Sequence, residues 1–294
     1  DLPNDVSIQN VLRQSIYLIS VFPMLAIYAY RAHRHFDCDE SLYIHRPDPA
    51  KSVAENILLM LRPDQKYTDF EARVLDMCLI VHAEHGGGNN SSFTTHVVTS
   101  TGTDTYSAIA AAVSSLKGPK HGGANIKAVK MMDDIKAHVS DPRDDDEITA
   151  YLNKILRGEA YDHAGLLYGV GHAIYTKSDP RTEILRTFIR TLAEEKGCAD
   201  DFDLYTRVER LAPIVVTGGR NVVKPICANV DFYSGFVYRM LGLPYEMYTP
   251  LFACARIPGW CAHRLEELIS GGKIIRPAYV NIGKSEIYRS LNER

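Results

Sequence analysis

Residues 103–138 read TDTYSAIAAAVSSLKGPKHGGANIKAVKMMDDIKAH, and this stretch decides the fold class. Apolar side chains recur at helical spacing in both halves of it, which predicts one helix at 103–116 and a second at 124–138. The segment between them is rich in Gly and Pro, residues that end helices and form tight turns. The stretch therefore predicts two helices joined by a turn that carries one histidine, His121.

The same pattern continues in both directions along the chain. Ile8, Leu12, Ile16 and Ile19 recur at helical spacing, as do the apolar residues of segment 53–61. Further helices are predicted at 70–82, 147–156, 180–196, 229–241 and 258–269. Alternating patterns typical of strands are nearly absent, and we find no internal repeat. The sequence predicts a mostly α fold.

The composition is that of an ordinary soluble globular protein. The chain has 294 residues, of which 46% are hydrophobic and 23% are charged, and its formal net charge is −3. This length allows a sizeable buried core without disulfide or metal staples. Because the charge indicates no basic surface, we expect no nucleic-acid partner. The charge run at 141–147 is interpreted as a solvated loop.

Two features bear on the cellular compartment. The six cysteines are widely spaced and form no CxxC pair, which indicates reduced thiols and a reducing compartment such as the cytoplasm or an organelle matrix. We expect a cytoplasmic protein. The apolar stretch 15–30 contains Pro23 and lacks both a charged start and a small-residue cleavage site. We therefore expect neither a signal peptide nor a membrane anchor.

Three histidines stand beside glycines, each at the edge of a predicted helix. They lie in the segments HGGG at 85–88, GPKHGG at 118–123 and GVGH at 169–172. Glycine allows a ligand to approach the backbone closely, and helix ends supply directed N–H groups. This placement favours the binding of an anionic ligand.

Together with two later segments, these stretches resemble the citrate synthase family in order and spacing. The five segments are HAEH…N at 82–89, GPKHGGAN at 118–125, GVGH…DPR at 169–181, NVDFYSG at 229–235 and AR…GW at 255–260. An Arg-Pro pair at 276–277 and the PMLA…YR segment at 23–31 are also similar to the family. Members usually continue upstream by on the order of a hundred residues, so the resemblance implies a C-terminal portion.

The resemblance implies a multi-helical fold with a large and a small domain. Residues 1–115 would supply large-domain helices, residues 116–225 the small domain, and residues 226–294 a return to the large domain with the catalytic Asp and substrate arginines. Closure of the small domain over the substrates would exclude water.

The implied reaction condenses acetyl-CoA with oxaloacetate and water to give citrate and CoA. A thioester methyl group is a very weak carbon acid, so its deprotonation needs a base and a donor for the enolate oxygen. The resemblance assigns Asp231 as the base and His121 as that donor, and it assigns His172 to the keto group of oxaloacetate. His121 precedes a predicted helix, whose positive end favours a neutral imidazole.

The remaining implied residues bind the substrates. Arg181, Arg256 and Arg276 would grip carboxylates bidentately, with His85 as a further contact. In the family the last arginine comes from the partner subunit, which implies a homodimer with shared sites. The loop of Gly169, Val170 and Gly171 would lie along coenzyme A, and Lys177 is a candidate phosphate contact by charge alone. We expect no tightly bound cofactor, with acetyl-CoA as a co-substrate.

Several alternatives remain open from the sequence. Each histidine taken singly is more often structural, and His82 and His85 at helical spacing invite a metal hypothesis that we reject because a third ligand is missing. Lys120 departs from the usual family residue and would disfavour a charged His121 if it pointed inward. A 2-methylcitrate synthase that uses propionyl-CoA is nearly indistinguishable by these motifs. A non-catalytic protein that binds only ligand or partner is the other alternative.

Overall fold

The structure, a computed structural model, describes residues 2–172, 174–218, 225–280, 282–284 and 287–293. Within these ranges the chain forms eleven α helices, and the β pairing there is an isolated bridge between Val170 and Ala228. The prediction of a mostly α fold is confirmed. The helices are α1 (Ile8–Cys38), α2 (Val53–Leu61), α3 (Asp69–His82), α4 (Asn90–Thr99), α5 (Thr105–Leu116), α6 (Ala124–His138), α7 (Asp145–Leu156), α8 (Pro180–Glu195), α9 (Ala199–Thr217), α10 (Val230–Met240) and α11 (Tyr248–Ser270).

Most predicted helices are found within two residues of their expected bounds, and α6 matches at both ends. Two helices, α4 and α9, were missed. The start of α11 was placed ten residues too late, because Pro258 was interpreted as the first residue of a helix whereas it lies inside one. An internal proline removes one backbone hydrogen bond from a helix. The α11 helix tolerates this loss, and most of its side chains are buried.

The N-terminal helix α1 differs from its prediction. It runs without interruption through Pro23 for 31 residues, so Pro23 does not break the apolar stretch 15–30. Leu12 and Ile16 are exposed, by 47% and 60%, while Gln14 is buried and accepts a hydrogen bond from Thr105 on α5. By length and composition α1 could cross a membrane, but a buried core helix passes the same test. The absence of a membrane anchor therefore stays a prediction.

Two helices, α10 and α11, organise the core. The α10 helix packs on α3, α6 and α8, whereas α11 packs on α1, α3, α4 and α5. Gly235 makes the contact between α10 and α6 possible, because an added Cβ there would lie 2.2 Å from a Val129 methyl group and 2.9 Å from the Asn125 carbonyl oxygen. Helix α3 contacts both α10 and α11, and its last residue, His82, accepts a hydrogen bond from Arg256 on α11. The division into a large and a small domain stays a prediction.

The cysteines are all unpaired, as the sequence predicted. Cys78, Cys254 and Cys261 are buried, and burial raises the pKa of each thiol. Cys38, however, is exposed at the end of α1. The compartment stays a prediction.

Candidate active site

Three rings form the centre of the candidate site. The Nε2 atoms of His85 and His172 lie 3.1 Å apart, with ring centroids separated by 4.9 Å. Tyr175 packs against both rings, at centroid distances of 5.8 Å from His85 and 4.8 Å from His172. Residues 87 positions apart in the sequence are thus brought into one cluster.

The tautomer of His172 follows from its neighbours. Its Nδ1 accepts hydrogen bonds from the backbone N–H groups of Ile174 at 3.0 Å and Tyr175 at 3.1 Å. A nitrogen that accepts two such bonds carries no proton, so the ring proton resides on Nε2. His172 therefore presents an Nε2–H donor to the space that it shares with His85.

His85 is held as a neutral ring. Burial, together with the positive charge of Arg181, lowers its pKa to about 4. The Nε2 atom of a neutral His85 can accept a hydrogen bond from the Nε2–H group of His172. The pair can therefore form a hydrogen bond without charge at neutral pH.

The loop before His172 is bound tightly to the start of α10. Asn229 caps α10 by accepting a hydrogen bond from the Asp231 N–H, and its side-chain amide donates to the Gly171 carbonyl at 2.8 Å. The Asn229 N–H donates to the Gly169 carbonyl at 2.8 Å, and the Gly171 N–H donates to the Cys227 carbonyl at 2.7 Å. One asparagine thus fixes both the loop that carries His172 and the helix turn that carries Asp231.

Gly169 is required by this packing. Its φ is +77°, and an added Cβ would lie 2.7 Å from Cα of Phe232. Neither the backbone angle nor the space admits a side chain. The structure therefore assigns Gly169, Val170 and Gly171 a positioning role, while the expected contact with coenzyme A stays a prediction.

Asp231 lies in the first turn of α10 and has a perturbed carboxyl. Burial raises its pKa to about 6, whereas the positive charges of Arg181 and Arg256 act in the opposite direction. A carboxylate with a raised pKa is a stronger proton acceptor than an exposed one and is still ionised at neutral pH. These are the properties of a general base.

His121 lies in the turn before α6, as predicted, and is anchored on one nitrogen. Its Nε2 is 3.1 Å from both the Ser91 hydroxyl oxygen and the Asn89 amide oxygen. Trp260 Nε1 in turn donates to the Ser91 hydroxyl at 3.0 Å. Burial lowers the pKa of His121 to about 4, with a further contribution from the charge of Arg256. The predicted neutral imidazole is consistent with this shift.

Arg256 is a buried cation with an unused donor. The residue is 1% exposed, and its Nε donates to the His82 carbonyl at 2.6 Å. Its Nη1 is buried and has no hydrogen-bond partner among the described residues. Burial lowers its pKa to about 10, so the guanidinium is still charged at neutral pH. A buried charge without a matching acceptor is costly unless a ligand supplies one.

One edge of the Arg181 guanidinium forms an ion pair with Asp179. Its Nε and Nη2 donate to both carboxylate oxygens of Asp179, at 3.0 and 2.7 Å. Asp179 is fully buried and also accepts from the Val230 N–H at 3.1 Å, which attaches this ion pair to α10. The Arg181 guanidinium lies 5.4 Å from the Tyr175 ring centroid. Arg181 therefore borders the histidine cluster with one edge held in place.

The remaining predicted residues lie elsewhere. Arg276 and Lys177 are both exposed, and no described contact joins either of them to the cluster. Their assigned roles stay predictions. Lys120 is also exposed, which agrees with the outward orientation considered from the sequence.

The metal hypothesis for His82 and His85 rested on a shared helical face that does not exist. The α3 helix ends at His82, which is fully buried and whose Nδ1 lies 2.7 Å from the Cys78 carbonyl oxygen. His85 follows in a turn and faces His172. His82 instead contributes its backbone carbonyl to Arg256.

Sequence reasoning assigned no role to several residues that build the site. Tyr175, Asp179 and Asn229 position the rings and the base, and Glu84 accepts hydrogen bonds from the backbone N–H groups of His85 and Gly86. Asp179 directly precedes the helix predicted at 180–196, and Asn229 is the first residue of the helix predicted at 229–241. Asp and Asn favour the N-cap position at such helix starts, so their capping role could have been predicted. Tyr175 carries no comparable signal.

With this geometry in hand, comparison with known proteins establishes the family. The profile of "Citrate synthase, C-terminal domain" matches residues 3–278. A citrate synthase from Synechocystis sp. is 36% identical over 250 residues, which are 85% of this chain and 58% of the relative. A 2-methylcitrate synthase from Shewanella oneidensis is 32% identical and covers 91% of this chain and 64% of its own length. The chain belongs to the citrate synthase family.

Solved structures confirm the fold. The ternary complex of carboxymethyl coenzyme A and oxaloacetate with citrate synthase from Thermoplasma acidophilum has a TM-score of 0.76 at 29% identity, over 95% of this chain and 68% of that one. The chain spans about three fifths of the length of the curated relatives it matches, with values of 58% and 59% for two of them.

Proposed function

We propose that this chain carries the catalytic residues of a citrate synthase, which condenses acetyl-CoA with oxaloacetate and water to give citrate and CoA. The observation that carries the proposal is the buried Arg256 guanidinium, whose Nη1 has no acceptor among the described residues. A dicarboxylate supplies the missing acceptor. The names and titles of the similar proteins support the choice of these substrates.

Oxaloacetate binding would use the two arginines of the cluster. The free N–H of Arg256 Nη1 would donate to one carboxylate, and the edge of Arg181 that does not bind Asp179 would face the other. The charges of Arg181 and Arg256 each oppose the rise that burial causes in the pKa of Asp231, which supports placing all three residues in one site. A charge-assisted hydrogen bond is among the stronger polar contacts in proteins.

The keto group of oxaloacetate would be polarised by His172. Its Nε2–H now faces His85 Nε2 at 3.1 Å, and a bound carbonyl oxygen would compete with His85 for that proton. A donor aimed at the oxygen that becomes negative stabilises the transition state more than the ground state. The backbone bonds to Nδ1 keep the donor in the required tautomer.

Proton abstraction from the acetyl methyl group would fall to Asp231, opposite His121. In the free protein the Ser91 hydroxyl donates to Asn89 Oδ1, and His121 Nε2 lies 3.1 Å from both oxygens. For this role the Ser91 hydroxyl would turn to donate to His121 Nε2, which places the ring proton on Nδ1, where it is available to the thioester oxygen. Although His121 is neutral, it can donate this bond through its one protonated ring nitrogen. A base and a donor on opposite sides of the substrate are what enolate formation requires.

Other parts of the proposal rest on the family resemblance. We assign Arg276 to the site of a partner subunit in a homodimer, and Gly169, Val170, Gly171 and Lys177 to the side that faces coenzyme A. Acetyl-CoA acts as a co-substrate without a tightly bound cofactor. The proposed location is the cytoplasm, and the proposed metabolic role is the tricarboxylic acid cycle.

A 2-methylcitrate synthase is the second candidate. It is favoured by the similarity to the Shewanella oneidensis protein, which is 32% identical to this chain, compared with 36% for the Synechocystis citrate synthase. The two activities differ by one methylene in the acyl donor, which is worth about 1–3 kcal/mol in an apolar pocket. Comparison of kcat/KM for acetyl-CoA and propionyl-CoA separates them.

The deciding experiment measures release of CoA thiol from acetyl-CoA with and without oxaloacetate. We expect oxaloacetate-dependent release by the 294-residue chain, loss of about 100-fold or more in Asp231→Asn, and retained oxaloacetate binding by that variant in calorimetry. Asp203→Asn, an exposed residue on α9, is the matched control and should be fully active. Oxaloacetate binding without turnover in the parent chain would support the non-catalytic alternative, and equal activity of both variants would overturn the assignment of the base.

A further inference from the structure

A second cluster of histidines and carboxylates lies between α4 and α11, outside the catalytic cluster. His96 Nε2 and His263 Nδ1 are 3.0 Å apart. The Glu266 carboxylate oxygen Oε2 lies 3.3 Å from that His263 nitrogen and 3.8 Å from the His96 nitrogen. Three atoms that can each donate a lone pair thus converge on one point.

The size of this triangle matches the first coordination sphere of a small divalent ion. Zinc binds histidine nitrogen and carboxylate oxygen at about 2.0–2.2 Å in tetrahedral geometry, which separates two ligand atoms by about 3.3 Å. The three observed separations of 3.0, 3.3 and 3.8 Å bracket that value. An ion could therefore be bound with small side-chain adjustments.

The outer nitrogens of both rings are held by carboxylates. His96 Nδ1 lies 2.8 Å from Glu267, and His263 Nε2 lies 2.9 Å from Glu84. In protein metal sites a ligating histidine donates its other N–H to a carboxylate, carbonyl or water, which orients the ring and raises its basicity. Both rings have this support before any ion is bound.

The cluster is enclosed on one side and open on the other. The side chains of His96 and His263 are 16% and 12% exposed, whereas Glu266 is 66% exposed and leaves an entry path from solvent. Gly87 lies over the two rings, and an added Cβ there would be 3.4 Å from His96 Nε2. The middle glycine of the Gly86–Gly88 run thus leaves space beside the converging nitrogens.

We propose that His96, His263 and Glu266 bind one divalent transition-metal ion, with zinc as the best match to the donor set. Two imidazole nitrogens and one carboxylate oxygen suit zinc and cobalt. They do not suit calcium or magnesium, which prefer oxygen ligands. Water completes the fourth position on the side of the exposed Glu266. The two rings otherwise share a proton in a hydrogen bond, which is the competing arrangement that the experiment separates from metal binding.

Glu84 connects this site to the loop of His85. One carboxylate oxygen, Oε1, accepts from the His85 N–H at 2.7 Å and also lies 2.9 Å from His263 Nε2. A metal on His263 makes the opposite nitrogen a permanent donor, which fixes Glu84 as its acceptor. Metal binding therefore orders the turn at 84–86 in addition to joining α4 to α11.

The test uses the 294-residue chain freed of metal with a chelator and then titrated with zinc sulfate by calorimetry. We expect one zinc per chain, a higher melting temperature when zinc is present, and visible absorption typical of tetrahedral cobalt when cobalt(II) replaces zinc. Glu266→Gln should weaken zinc binding by at least about 10-fold, and the double change His96→Gln with His263→Gln should abolish it. Circular dichroism monitors folding of each variant.

His33→Gln is the matched control, because His33 forms an exposed pair with Asp37 on α1, away from the cluster. It should bind zinc as the parent chain does. The proposal is overturned if the parent binds no zinc, or if Glu266→Gln binds it as tightly as the parent. It is also overturned if the control loses as much affinity as Glu266→Gln, because binding would then be distributed over surface histidines.

Discussion

Arg256 and Asp231 influence each other's charge inside one buried region. The carboxylate of Asp231 favours the charged form of Arg256, and the guanidinium of Arg256 opposes the rise that burial causes in the pKa of Asp231. Neither charge fully offsets the effect of burial on the pKa of the other group. The pKa of Arg256 is lowered to about 10, and that of Asp231 is raised to about 6. A bound dicarboxylate would relieve the cost of burying the Arg256 charge, because it supplies the acceptor that this guanidinium lacks.

Arg256 and Arg264 offer a direct contrast between a functional and a structural arginine. Both are buried on α11, but Arg264 donates to Thr105, to Thr99 and to the Thr103 carbonyl, whereas Arg256 Nη1 has no described acceptor. We predict that Arg256→Met weakens oxaloacetate binding by about 10–100-fold, the worth of a charge-assisted hydrogen bond. Folding stability should change little, because removal of a buried charge offsets the lost hydrogen bond to the His82 carbonyl. Calorimetry measures the affinity.

Arg264→Met should show the reverse pattern. It removes the hydrogen bonds that Arg264 donates to Thr105, to Thr99 and to the part-buried Thr103 carbonyl, so we expect the free energy of unfolding to fall by about 1–3 kcal/mol while oxaloacetate affinity is kept. Urea denaturation of the two variants measures the difference. Equal destabilisation by both changes would contradict the assignment of Arg256 as a ligand-binding residue.

The pH dependence should report the ionisation of Asp231. A base must be deprotonated, so kcat/KM should rise with pH through an apparent pKa of about 6 and level off above it. His85 and His121, whose pKa values are lowered to about 4, should add no step between pH 5 and 8. Initial rates in constant-ionic-strength buffers give the profile. A flat profile from pH 5 to 7 would exclude this role.

The same shift predicts a stability effect of opposite sign to that of an ordinary ion-paired carboxylate. Because the folded pKa of Asp231 lies above the unfolded value of 3.8, the folded state holds the proton longer, and stability falls as the pH rises from about 4 to 6. Asp231→Asn removes this loss. The melting temperature of the variant relative to the parent chain should therefore be higher at pH 7 than at pH 4.

Gly169→Ala tests the packing of the loop on α10. The added methyl group would collide with the Phe232 backbone at 2.7 Å, and the φ of +77° disfavours any side chain. We expect a loss of about 2–4 kcal/mol in unfolding free energy, the sum of backbone strain and overpacking, together with loss of activity.

Gly197→Ala separates the two contributions to that loss. Gly197 also has positive φ, at +67°, but has no atom within 4 Å of the added methyl group. It should lose only about 1–2 kcal/mol. An equal loss at both positions would show that the Phe232 contact is not a constraint.

Sequence patterns predicted helices wherever the buried face is apolar. The α6 helix matches at both ends because its apolar positions recur regularly and glycines precede it. The α4 helix was missed because its buried face is polar, formed by Ser91, Ser92, Thr95 and Thr99, so apolar periodicity is absent. The α9 helix was missed although Phe202, Tyr205, Val208 and Leu211 do recur at helical spacing, a signal that could have found it.

The sequence by itself determined the fold class, the family and the residue types available for catalysis, because helical periodicity and motif order are local properties of the chain. Only the tertiary structure decided which arginine is unsatisfied, which nitrogen of His172 carries the proton, and that His96 meets His263 from 167 residues away. Charge, burial and hydrogen-bond partners depend on contacts between distant segments. Those contacts exist only after α10 and α11 have packed against the surrounding helices.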